Sequence, residues 1–147
     1  MALGSITPYD SFITELGKGS FDLINDTFKV LLTTSTYSPS ASLDTVLSDV
    51  TNEVASGGGY TAGGITITPS WSGTGGVYTF DFADIQWTGT GAGFTAHYWV
   101  LYQNTGVAGT SNLMFYGLLD ATPASVTVAD TQNLNVVPNA SGLFTIS

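Results

Sequence analysis

Cysteine is absent from this 147-residue chain, and so is arginine; only Lys18 and Lys29 carry positive charge, against eleven Asp and Glu. Without cysteine there are no disulfides and no thiolate metal sites, which fits synthesis in a reducing compartment. Two lysines in a chain of net charge −9 do not replace the counterions of a nucleic-acid backbone, so nucleic acid is excluded as a partner. The same deficit excludes recruitment to an anionic membrane surface, and no apolar run approaches the length of a membrane span. The opening MALGSITPYD has neither the basic n-region nor the apolar core of a secretory signal. The expectation is a chain made in a cytoplasm, for which the sequons at Asn25 and Asn139 carry no meaning.

What is present points to β structure. Valine, isoleucine, threonine and aromatics are plentiful and glycine is abundant, with eighteen copies, the make-up of short strands joined by tight turns. Thr7 is a candidate N-cap, Pro8 suits the first helical position, and Tyr9, Phe12, Ile13 and Leu16 form a stripe at helical spacing. Gly17 and Gly19 end this short helix, and residues 1–19 read as a helix with a connection that would serve as a docking arm. TFKVLLTT (27–34) reads as a buried strand, closed by Tyr37, Ser38 and Pro39. A second short helix is expected near 43–50, capped by Ser42 with Asp44 in its first turn.

ITITPSW (65–71) alternates as a half-buried strand, and GTGG (73–76) turns into VYTFDFADIQW. FTAHYWVLYQ (94–103) is the strongest strand signal and pairs as a hairpin with NLMFYGLLD (112–120). Further short strands follow in SVTVAD, NLNVVP and LFTIS. Strands at such regular spacing predict a mainly β, single-domain antiparallel β-sandwich or jelly-roll-like fold across residues 1–147.

Several groups invite a chemical reading. GGGYTA (57–62) matches a loose dinucleotide pattern, but that pattern works only between a preceding strand and a following helix. Here a helix is expected before it and a strand after it. The structural reading is therefore preferred: glycines for positive φ, and Tyr60 anchored on the core. His97, the one histidine, sits mid-strand without a nucleophile elbow, and a lone histidine without cysteine makes no zinc site. Asp22 and Asp26, with Asn25, form an acidic loop that is the candidate cation site, though it lacks EF-hand spacing. Asp81 and Asp84 point to opposite faces of a regular strand, and paired glycosidase-type acids meet only in the fold. No cofactor is expected. The aromatics exceed what a small core must bury, so Trp87 and Trp99 enter as candidates for core or contact positions.

The segment LSDVTNEVASGGGYTAGG (47–64) resembles one that recurs in small structural proteins of tailed bacteriophages. In that group it follows an extended strand and a Tyr-x-Pro turn, here FKVLLTT and Tyr37–Pro39. It precedes strands like TFDFADIQWTG and AHYWVLYQN, and the likeness runs from FDLINDTFKV to LFTIS. Asp49, Glu53, Tyr60, Gly63 and Gly64 carry it. The family's charges are more mixed in sign than those of this chain. The resemblance implies a virion component without enzymatic activity, foremost a decoration or cement protein bound to the major capsid protein on the outside of the head. An acidic domain there does not compete for the packaged DNA. By analogy with threefold capsid positions, a homo-oligomer, in particular a trimer, is expected. The alternatives are a tail or baseplate component contacting host glycan and a carbohydrate-active hydrolase using paired carboxylates.

Overall fold

A computed structural model describes residues 4–147. In chain order the elements are β1 (Ile6–Pro8), α1 (Asp10–Gly17), β2 (Phe28–Thr33), β3 (Ile65–Thr66) and β4 (Pro69–Thr74). There follow β5 (Val77–Phe82), β6 (Ile85–Thr88), β7 (Phe94–Ala96), β8 (Tyr98–Gln103) and β9 (Leu113–Leu118). β10 (Val126–Val128), β11 (Asn133–Val136) and β12 (Phe144–Ile146) complete the chain. All pairings are antiparallel, as expected of a mainly β, sandwich-like domain.

One layer is the five-stranded sheet β1-β9-β8-β2-β3. The other consists of three short ladders: β12-β5-β4, β11-β6 and β10-β7. These ladders are successive lengths of a single ribbon, with Phe80 opposite Phe144, Trp87 opposite Leu134 and Thr95 opposite Thr127. Only His97 separates β7 from β8, and β8 pairs with β9. Everything from Val77 onward is therefore one long hairpin, folded so that its tip forms the centre of the first layer and its legs form the second. Folding a long ribbon over itself buries one face of every length without a crossover through the core.

The main core lies between the layers. It holds Val30, Leu32, Trp99 and Leu101 from the first and Phe80, Ile85, Trp87, Phe94 and Leu134 from the second. Ring contacts join them, as between Phe28 and Phe80 with centroids 5.7 Å apart. β2 and β8 are also buried on their other face, where Leu31, Val100 and Tyr102 pack with Tyr9, Tyr37 and Leu113. The connection between β2 and β3 supplies Tyr37, Leu47 and Val50 to this outer cluster. That is why Val30, Leu31 and Leu32 follow one another as an apolar run and not an alternation: both faces of the strand are covered.

Three expectations are corrected in detail. The first helix begins at Asp10, because Thr7 and Pro8 are drawn into β1 opposite Tyr116 and Phe115. Phe12 from its stripe is buried, whereas Ile13 is 60% exposed. The helix expected at 43–50 is a turn followed by one 3-10 turn, Leu47–Asp49. Its acids bond locally instead: Asp44 Oδ2 accepts from Tyr37 Oη (2.8 Å) and the Ser40 N–H (3.0 Å). Asp49 Oδ2 accepts from the N–H groups of Thr45 (2.8 Å) and Val46 (3.1 Å). Such bonds offer the backbone an alternative to the helix. Residues 65–71 divide into β3 and β4 where the chain passes between layers, with the Ile67 N–H still donating to Phe28 O. Of the expected N-terminal arm, residues 1–3 lie outside the described residues; Ile6–Gly17 is built into the fold.

Candidate functional site

The resemblance-bearing stretch forms a corner between the layers. Glu53 bridges to Thr33 at the end of β2, and the Val54 N–H donates to Leu32 O. This extends the first sheet by one short length. The chain then reverses at Gly57–Tyr60, and Tyr60 enters the core at 2% exposure, against Trp87 and Phe94. Its hydroxyl donates to Glu53 Oε1 (2.7 Å) and accepts from the Leu32 N–H (3.1 Å). The same Glu53 oxygen takes the Gly63 N–H, and Gly63 O accepts from Tyr102 Oη (2.8 Å).

The glycines are required by close approach. A Cβ on Gly64 would stand 1.9 Å from Val30 O, and one on Gly58 1.9 Å from Gly93 O. Both also have positive φ. One flank of the turn thus touches β2 in the first layer and the other touches the β6–β7 connection in the second. Thr90 N–H donates to Gly58 O (3.0 Å) across that second contact. Burial, reinforced by the Glu53 carboxylate, raises the Tyr60 phenol well above its ordinary value, and burial with Glu53 pushes Tyr102 up to about 12. Both phenols are therefore neutral donors at neutral pH, as their bonds require.

Asp22 and Asp26, the candidate cation ligands, serve a local turn. Asp22 Oδ1 accepts from the N–H groups of Ile24 (3.1 Å) and Asn25 (3.0 Å). Its pKa is lowered by the Asn25 side-chain bond and by these backbone bonds. Asp26 Oδ2 accepts from the Asp22 N–H (2.8 Å) and from Gln103 Nε2 (2.6 Å). Among the described residues, no three His, Asp or Glu side chains gather as metal ligands. His97 sits at the corner where the ribbon changes layer, 9% exposed, with Nδ1 3.0 Å from Ser125 Oγ. Asp81 Oδ1 accepts from the neighbouring Phe82 N–H (2.9 Å), and Asp84 is exposed just beyond β5. Trp87 and Trp99 are both buried, at 3% and 1%. Gly117 makes room for the second: a Cβ there would lie 2.8 Å from Trp99 Nε1.

The exposed aromatics lie elsewhere. Trp71 on β4 is half-buried and stacks on the exposed Tyr78 of β5, with centroids 5.7 Å apart and planes at 22°. Trp71 lines an open concavity of about 540 Å³ with Leu16, Phe21, Asp22, Ile24 and Ile146. Alternation alone placed Trp71 with Ile65 and Ile67 on a buried face. The available signal was the lack of any charged residue between Glu53 and Asp81. A second concavity, of about 350 Å³, is lined by Thr61, Gln86, Thr88 and Thr90 above Trp87. Comparison with protein-family models, with curated proteins and with solved structures returned no match.

Proposed function

We propose that the chain is a non-enzymatic structural component of a tailed-phage particle, a decoration protein seated on the major capsid protein outside the head. The observation that supports this reading is the use made of the resemblance-bearing residues. Asp49, Glu53, Tyr60, Gly63 and Gly64 bond to backbone or pack between layers, which supports reading the resemblance as one of scaffold. Its acidity suits an exterior position away from packaged DNA. The test is to count copies per particle by quantitative mass spectrometry and to measure binding of the purified chain to expanded heads. Hundreds of copies with saturable head binding are expected; a handful of copies, or no binding, overturns the reading.

A tail or baseplate role in contact with host glycan has one observation in its favour. The outer face of the ribbon carries a ladder of neutral polar pairs. Gln86 Nε2 donates to Asn135 Oδ1 (2.8 Å), Thr88 Oγ1 donates to Asn133 Oδ1 (2.8 Å), and Thr95 lies 3.0 Å from Thr127. Such groups match sugar hydroxyls without needing charge. Co-purification with tails from particles blocked in head assembly would favour this role over decoration.

A further inference from the structure

We infer that β4 is a self-pairing edge, through which two copies of this chain join their second layers into one continuous antiparallel sheet. β4 is the outer strand of β12-β5-β4, and no described strand pairs with its other side. Gly75 and Gly76, with φ of +64° and +85°, form a two-residue hairpin turn, which makes Thr74 and Val77 its hydrogen-bonded closing pair. Antiparallel alternation then directs the backbones of Ser70 and Ser72 toward β5. The N–H and C=O groups of Trp71 and Gly73 face outward, without a strand to receive them.

Natural sheets protect such an edge with lysine, inward charge, proline or a covering loop. Here Pro69 stands only at the strand's start, and Ser70, Ser72, Gly73 and Thr74 are all exposed. The occupant that fits is a second β4. Antiparallel pairing of two identical edges satisfies a twofold axis, so the outward groups of Trp71 in one copy meet those of Gly73 in the other, and reciprocally. Charge selects this edge over other surfaces. Two copies of net charge −9 repel, and the seam falls in the stretch between Glu53 and Asp81 that has no charge at all. Asp81 itself lies opposite Ser70 on β5, one strand in from the edge. The exposed apolar side chains Val77 and Tyr78 (46% and 43%) stand on β5 at the turn end of the sheet, one strand in from the seam. The inference is independent of the capsid reading, and a twofold seam links pairs where threefold packing would link trimers.

Sedimentation equilibrium of the full chain tests it, with Ser72→Lys and Ser72→Asp as variants. Ser72 is exposed on the outer face, so neither substitution disturbs the core, and a retained thermal midpoint verifies this. In a twofold pair the two copies of residue 72 come close, and like charges there should weaken dimerisation about tenfold. An equimolar mixture of the two variants should restore it. Ser72→Lys lowers the net negative charge, so general repulsion predicts the opposite change. A wild-type chain monomeric at all concentrations overturns the inference, as does a dimer indifferent to both substitutions. Hydrogen exchange on the wild type gives a readout that needs no variant. The Trp71 and Gly73 amides should be protected at dimeric concentrations and exchange fast on dilution; fast exchange in the dimer overturns the seam.

Discussion

At Tyr60 one side chain ties three segments of chain: its ring packs on Trp87 and Phe94, and its hydroxyl joins Glu53 to the Leu32 backbone. Tyr60→Ala is expected to cost about 3–5 kcal/mol through the cavity it opens. Tyr60→Phe keeps the ring but strands the Leu32 donor and the Glu53 acceptor, a loss of about 1–3 kcal/mol. Urea unfolding of both variants checks the order, and a Phe variant as unstable as the Ala variant would place the effect in the hydroxyl alone. The neighbouring glycines separate backbone strain from collision. Gly63→Ala suffers its positive φ, but its Cβ would meet only the ends of two side chains at ordinary contact, Lys29 Nζ at 3.5 Å and Tyr102 Oη at 3.9 Å. Gly64→Ala suffers positive φ and also drives a Cβ into Val30 O at 1.9 Å, so β2 must shift. Gly64→Ala should therefore unfold at clearly lower urea than Gly63→Ala; equal midpoints would mean that the corner yields freely.

The connection from β2 to β3 acts as an element although it has almost no regular structure. Its side chains cover the outer face of the first sheet, and its shape is held by carboxylates bonded to backbone N–H groups. For Asp49 those bonds, to Thr45 and Val46, hold the carboxyl below its ordinary 3.8. A lowered carboxyl pKa means that the unfolded chain takes up the proton first. The stabilisation is thus fully present above 3.8 and is lost as pH falls through the lowered value. Asp49→Asn should therefore destabilise at neutral pH, and the gap from wild type should shrink in acid below that window. A gap that stays constant from neutral pH into acid would show that the charge is not what holds the turn. A helix was expected in this element because Ser42 as cap and Asp44 in the first turn satisfy helix rules. The same acids satisfy turn rules, and Leu43, at 78% exposure, gains nothing from burial that would favour the helix.

Across the whole molecule, two charge effects should be measurable. Tyr9, Tyr37, Tyr60 and Tyr102 are all buried, and burial is the leading cause that raises each phenol above its ordinary 10.0. Above that pH the unfolded chain releases phenolic protons while the folded chain holds them. The stability these groups contribute is complete below 10.0 and declines as pH rises toward the folded values. Each phenol adds a slope of up to about 1.4 kcal/mol per pH unit. Thermal midpoints followed with tyrosinate absorbance should fall steeply beyond that pH, and phenols that ionise before unfolding would refute it. The second effect is repulsion among eleven carboxylates, with Lys18–Glu15 the one ion pair among the described residues. Added salt screens this repulsion and should raise the midpoint at neutral pH; a fall would mean that pairing outweighs repulsion.

Some properties follow from the sequence at any fold. Disulfides and thiolate metal sites are excluded by composition, since no tertiary arrangement supplies missing cysteine. Turn positions and most strands were legible for a local reason: glycine conformation and β-branched patterning act over a few residues. The hairpin of β8 and β9 is the clearest case. Pairings between distant segments were not legible. Only the tertiary structure decided that residues 77–146 form one folded ribbon, and that Trp87 and Trp99 are core while Trp71 is half-buried at the lip of a concavity. It also decided that the glycine-rich corner joins two layers, with its close contacts at Val30 and Gly93 on different layers. Those outcomes depend on which surfaces meet across long stretches of chain, and burial of that kind is a property of the whole packed molecule.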